Sequence, residues 1–78
     1  MEDIKIQERK RIGARIATIR RSLGITQEQL AESTGFKQAN ISRIERGQYN
    51  VTFDTLTIIA HAFNMKIDFV EDLFFDNM

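Results

Sequence analysis

Bond-making chemistry has little to work with in this chain. It contains no Cys and a single His, His61, so disulfides, thiolate nucleophiles and thiolate metal sites are excluded. No Cys, Asp or Glu stands at ligand spacing from the imidazole. The carboxylates Asp68, Glu71, Asp72 and Asp76 fall in a tail rather than in a pattern that would converge on a cleft, as general acid–base catalysis requires. The expectation is therefore a protein that is not an enzyme and needs no cofactor and no metal. What remains is ionic and hydrogen-bonding chemistry. Eleven Lys and Arg offset eleven Asp and Glu, yet the charges are unevenly placed along the chain. Residues 1–50 carry ten bases against six acids, and residues 51–78 carry Lys66 against five acids. The halves are thus about +4 and −4, and such a bipolar chain can turn its basic end to a polyanion unless folding intermixes the two.

The elements that must position these groups are short helices. With 78 residues, 42% of them hydrophobic and 28% charged, one compact domain over 1–78 is expected. No run is long enough to cross a bilayer and Met1–Gln7 show no signal-peptide pattern, so a cytoplasmic protein without a membrane partner is expected. From about Lys5 to Leu23, the residues Ile12, Ile16, Ile19 and Leu23 share one helical stripe, and Gly24 ends it. Thr26 reads as an N-cap for a two-turn helix, Gln27 to Thr34, with Leu30 and Ala31 inward and Gly35 as its stop. Gln38 to Arg46 follows, with Ile41 and Ile44 as the buried pair, a polar opposite face and Gly47 as terminator. Thr52 then caps a helix in which Phe53, Leu56, Ile59, Ala60 and Phe63 keep the helical period, ending at Asn64. Met65, Ile67 and Phe69 alternate with Lys66 and Asp68, which is the strand period, and residues 65–70 are read as a strand.

Two short helices joined through Gly35 have a specific geometric meaning. Ala31 is small enough to let them approach, Gly35 turns the chain without a Cβ clash, and Ile41 and Ile44 lock the second helix onto the domain with its outer face free. This is a helix-turn-helix, over about 27–46. The sequence also resembles the phage repressor and Cro-like (Xre-type) helix-turn-helix family. The resemblance is carried by ThrGlnGluGlnLeuAla at 26–31, Gly35 and IleSerArgIleGluArgGly at 41–47, supported by ArgIleAlaThrIleArg at 15–20 and by Leu56, Ile59, Ala60 and Phe63. It spans roughly residues 10–64. It implies an all-α, compact four- to five-helix repressor-like DNA-binding domain, with the short C-terminal β-strand as this chain's own departure.

The resemblance also implies a site. The second motif helix, about 38–46, would read the major groove through Lys37, Gln38, Ala39, Asn40 and Arg43. Gln and Asn side chains pair bidentately with adenine, Arg and Lys with guanine, and Ala offers a methyl contact to thymine. Gln27 resembles the family's phosphate clamp at a helix N-terminus, assisted by Thr26, with Arg46 and Asn50 as further phosphate contacts. Arg20 and Glu45 match a structural ion pair that orients the reading helix. The function implied is a sequence-specific regulator of transcription, a repressor acting on a palindromic double-stranded operator. In the alternative reading it is an antitoxin whose partner is a protein toxin. Related proteins often open a fifth helix with a small capping residue where this chain has Lys66, a poor N-cap. A strand there would leave unpaired N–H and C=O groups for a second copy, so a homodimer is expected through 65–78, with Met65, Ile67, Phe69, Leu73 and Phe74 at the interface.

Overall fold

The computed structural model describes residues 3–72, and these form four helices: α1 (Ile4–Ser22), α2 (Gln27–Thr34), α3 (Gln38–Glu45) and α4 (Phe53–Ala62). Each boundary has a local cause. Asp3 accepts a hydrogen bond from the Lys5 amide at the start of α1. Thr26 and Gln29 make a reciprocal capping box on α2, the Thr26 hydroxyl accepting from the Gln29 amide at 3.0 Å while the Gln29 side chain accepts from the Thr26 amide at 2.8 Å. Thr52 caps α4 by accepting from the Thr55 amide.

Helices of eight residues do not hold themselves together in water. α2 and α3 persist because α1 and α2 both pack on α3 and α4 packs on α2. The core they enclose is Ile16, Leu30, Ala31, Ile41, Ile44, Ile59 and Phe63, with Leu30 and Ile41 at 0% exposure. Each such large aliphatic side chain contributes roughly 1.5–3 kcal/mol on burial. Ile12, Ile19, Ile25, Phe36, Val51 and Leu56 close the margin. No helix among the described residues is long and apolar enough to cross a membrane.

Gly13 lies in the middle of α1, and it is not a breaker. A Cβ there would sit 2.2 Å from the Ile44 carbonyl oxygen and 2.8 Å from that of Glu45, so its absence lets α1 rest directly on the last turn of α3. Gly47 serves the same approach from the other side: its φ is +72°, and a Cβ would fall 2.8 Å from Cα of Lys10.

The strand expected over 65–70 does not form. Residues 65–72 run irregularly, and no strand occurs among the described residues. The reason is the way α4 ends. Asn64, at φ 58°, turns the chain left-handed, its amide donates to the His61 carbonyl at 3.0 Å, and the Met65 amide donates back to Ala60 at 2.8 Å. The first residue of the expected strand thus spends its amide on the helix it leaves. The four helices also offer no strand edge among the described residues to pair with the rest.

Candidate nucleic-acid interface

The turn between α2 and α3 is made by Gly35, left-handed at φ 78°, whose amide donates to the Ala31 carbonyl at 2.9 Å. It sets α3 so that Ile41 and Ile44 enter the core while the opposite side faces outward. On that outward side Lys37, Gln38, Ala39 and Arg43 are exposed, and Asn40 is half-buried. The start of α3 is chemically open. Lys37 stands at the N-cap position without a side-chain cap. Asn40 and Ile41 donate to the Lys37 carbonyl at 3.0 and 3.1 Å. The amides of Gln38 and Ala39 are ahead of that bonding, so they point out of the helix end together with its positive dipole.

Behind α3 lies a shared carboxylate. Arg20 Nε donates to Glu45 Oε2 at 2.7 Å and Nη2 to Oε1 at 3.1 Å, a two-pronged pair with the side chains only 10% and 5% exposed. The third guanidinium nitrogen, Nη1, donates to the Ile25 carbonyl at 2.9 Å, and Gln27 Nε2 donates to Glu45 Oε1 at 2.9 Å. One acid therefore ties the end of α1, the first turn of α2 and the end of α3. Burial by itself would raise the Glu45 carboxyl. The hydrogen bonds from Arg20 and Gln27, with the charges of Arg20 and Arg21, outweigh it and hold the carboxyl below its ordinary range. Arg20 is held above its ordinary range, chiefly by the hydrogen bond to Glu45 and against the desolvation of burial.

Gln27, half-buried at the start of α2, thus has one N–H of its amide on Glu45, which leaves the other for an external acceptor. Thr26 is exposed, its oxygen accepting from Gln29 and its O–H still able to donate. Arg46, the residue after α3, and Asn50 in the following loop are both exposed. The proposed readers therefore lie along α3 from its start, while Gln27, through Glu45, and Arg46 stand beside its C-terminal end. The tail lies elsewhere. Residues 65–68 and Val70 border a groove between α1 and α4 lined by Ile12, Ile16, Ile19, Leu56, Ile59 and Phe63, while Phe69, outside the groove, is fully exposed at 102% and Met65 and Ile67 keep part of their apolar surface exposed. Leu73 and Phe74 lie outside the described residues. Sequence reasoning missed three parts of this arrangement: Gln29 as the capping partner, the Gln27–Glu45 bond and the role of Gly13. Two of them left a signal: Thr26 followed three residues later by Gln29 has the spacing of a capping box, and Gly13 is an isolated Gly inside a strong helical pattern.

The geometry has counterparts. A family model described as Helix-turn-helix matches residues 16–70. An uncharacterized HTH-type transcriptional regulator, y4dJ, from Sinorhizobium fredii is 40% identical over 58 residues, covering 74% of this chain and 75% of that protein. Among solved structures, the restriction-modification controller protein C.AhdI from Aeromonas hydrophila superposes with a TM-score of 0.75 at 28% identity, over 77% of this chain and 91% of that one. The restriction-modification controller C.Esp1396I, solved as a tetramer in complex with its natural 35 base-pair operator, gives 0.71 at 29% identity, over 83% of this chain and 82% of that one.

Proposed function

Because the chain belongs to the helix-turn-helix family of DNA-binding transcriptional regulators, we propose that it represses transcription from a palindromic operator, with α3 lying in the major groove. The observation that carries this reading is the division of α3 into two sides. Ile41 and Ile44 fix it to the core, while Gln38, Ala39 and Arg43 are exposed beyond a helix start with no side-chain cap. In the groove, Lys37, Gln38, Asn40 and Arg43 supply hydrogen bonds to base edges and Ala39 a methyl contact. Thr26 and Gln27 at the start of α2 and Arg46 and Asn50 after α3, all beside the C-terminal end of the reading helix, hold phosphates and fix the register.

The working unit in this reading is a single domain, with the motif over about 27–46, acting in the cytoplasm where its operator lies. Named relatives are regulators, an immunity repressor of Bacillus phage phi105 and controller proteins. That company supports a regulator rather than an antitoxin. A palindrome calls for two copies, and the exposed Met65, Ile67 and Phe69 give the chain an apolar surface that a second copy would cover by side-chain burial. The two reading helices would then stand about 34–36 Å apart, one turn of DNA. Selecting bound duplexes from a random DNA pool tests the whole reading. A two-fold symmetric consensus with two half-sites is expected, and recovery of no consensus refutes it.

A further inference from the structure

The hollow on the other side of α1, away from the tail, is rimmed by Lys5, Glu8, Arg9 and Asn50 over a floor that includes Ile12, Ile44 and Val51. Its charge balance is one-sided. Glu8 is the only acid among the described residues of the rim, and both of its oxygens accept from Arg11 Nε at 3.0 Å, with Arg11 Nη2 closing a second contact. The hydrogen bond from Arg11, with the Arg11 charge, holds the Glu8 carboxyl below its ordinary range against the opposing effect of burial. Its charge is therefore already matched. The Lys5 ammonium and the Arg9 guanidinium make no ion pair among the described residues, and Asn50 is exposed beside them. Lys5 and Arg9 are four residues apart on α1, one above the other on the same face.

This face is fixed to the DNA-reading element. The missing Cβ atoms of Gly13 and Gly47 let α1 lie against the end of α3 and the loop that follows it, with Gly47 on the backbone of Lys10. Arg46, the residue before Gly47, and Asn50, three after it, therefore stand next to the first half of α1. We propose that Lys5 and Arg9 form a second phosphate-binding edge, continuous with Arg46 and Asn50, which grips the DNA backbone outside the base pairs read by α3. This rests on the placement of α3 proposed above. An open rim with two cations that make no ion pair among the described residues, the exposed Lys5 and the half-buried Arg9, suits an extended phosphodiester chain, whereas an enclosed small anion would need donors on several sides.

The test measures the affinity of Lys5→Gln, Arg9→Gln and the double variant as a function of salt. It uses one duplex with long flanks and one trimmed to the bases that α3 contacts. On the long duplex each substitution is expected to reduce the slope of log affinity against log salt by about 0.9, and the double variant to bind roughly sixty-fold more weakly at 0.1 M salt. On the trimmed duplex the variants and the parent should coincide. Equal losses on both duplexes would mean a general field rather than a local contact, and unchanged slopes on both would mean no contact; either overturns the proposal. The Arg43→Ala variant, measured in parallel, separates the two readings. If its loss is confined to the cognate sequence while Lys5 and Arg9 have no effect, the α3 reading stands and this edge falls. If the parent selects no sequence at all, both fall.

Discussion

Replacing Gly13 by Ala sets two opposing effects against each other. In an isolated helix the change is favourable by about 1 kcal/mol, because Ala restricts the unfolded chain and fits the helix better than Gly. In this fold the new methyl would lie 2.2 Å from the Ile44 carbonyl oxygen, about 1.2 Å short of ordinary contact, and 2.8 Å from that of Glu45. Both neighbours are backbone in the last turn of α3, so no rotamer change relieves the overlap. α1 must move away by about an ångström, which costs roughly 1–3 kcal/mol as overpacking. The same shift strains the two-pronged Arg20–Glu45 pair two turns further along, where opening a buried pair costs up to about 3–5 kcal/mol. The net expectation is a loss of about 2–4 kcal/mol, or a fall in Tm on the order of 10–25 °C for a domain of this size. Thermal and urea unfolding followed by far-ultraviolet circular dichroism measures it. Gly24→Ala is the comparison, since its Cβ would meet nothing within 4 Å and only its φ of +72° is strained, at about 1–2 kcal/mol. A Gly13→Ala protein that melts at or above the parent, or that loses less than Gly24→Ala, would refute the close crossing of α1 and α3.

Arg43→Ala should weaken cognate binding by about 1–3 kcal/mol and relax discrimination at one base pair per half-site, as loss of a base contact does; gel-shift titrations that show equal losses on random DNA would remove Arg43 from the readers. Gln27→Ala should instead weaken cognate and random duplexes alike, because it removes a positioning contact; a loss restricted to cognate DNA would reassign it. The depressed Glu45 carboxyl stabilises the fold at pH values above its unfolded pKa, and that contribution disappears as the pH falls through the lower folded value. Urea unfolding should therefore show Glu45→Gln well below the parent at pH 7 and the gap narrowing towards pH 3, whereas a constant gap would mean that the carboxylate charge is not what stabilises. Sedimentation of Ile67→Asp with Phe69→Asp should give a folded monomer where the parent is a dimer at micromolar concentration; a double variant that stays dimeric rules out the tail as the seam.

The regular part of this fold is written locally, which is why the sequence alone determined so much of it. Helical spacing of Ile12, Ile16 and Ile19, the Thr26 and Thr52 caps and the stops at Gly24, Gly35 and Gly47 depend on neighbours within a turn or two, and they placed the boundaries of all four helices to within two residues. The outward side of α3 followed once Ile41 and Ile44 were recognised as its inward pair. Contacts between residues far apart in the chain leave no such periodic trace. The Arg20–Glu45 pair, 25 residues apart, was legible only through the family resemblance, and only the tertiary structure revealed that Gln27, 18 residues away, shares the same carboxylate and that Gly13 is a contact surface for the carbonyls of α3 rather than a weak point in α1. The tail shows the opposite error. Alternation at Met65, Ile67 and Phe69 is a statement about two sides of an extended chain, but a strand also needs a neighbour for its amides and carbonyls, and whether one exists is decided by the fold around it. Here the left-handed turn at Asn64 commits the Met65 amide to Ala60, and the helices alongside have no edge to offer.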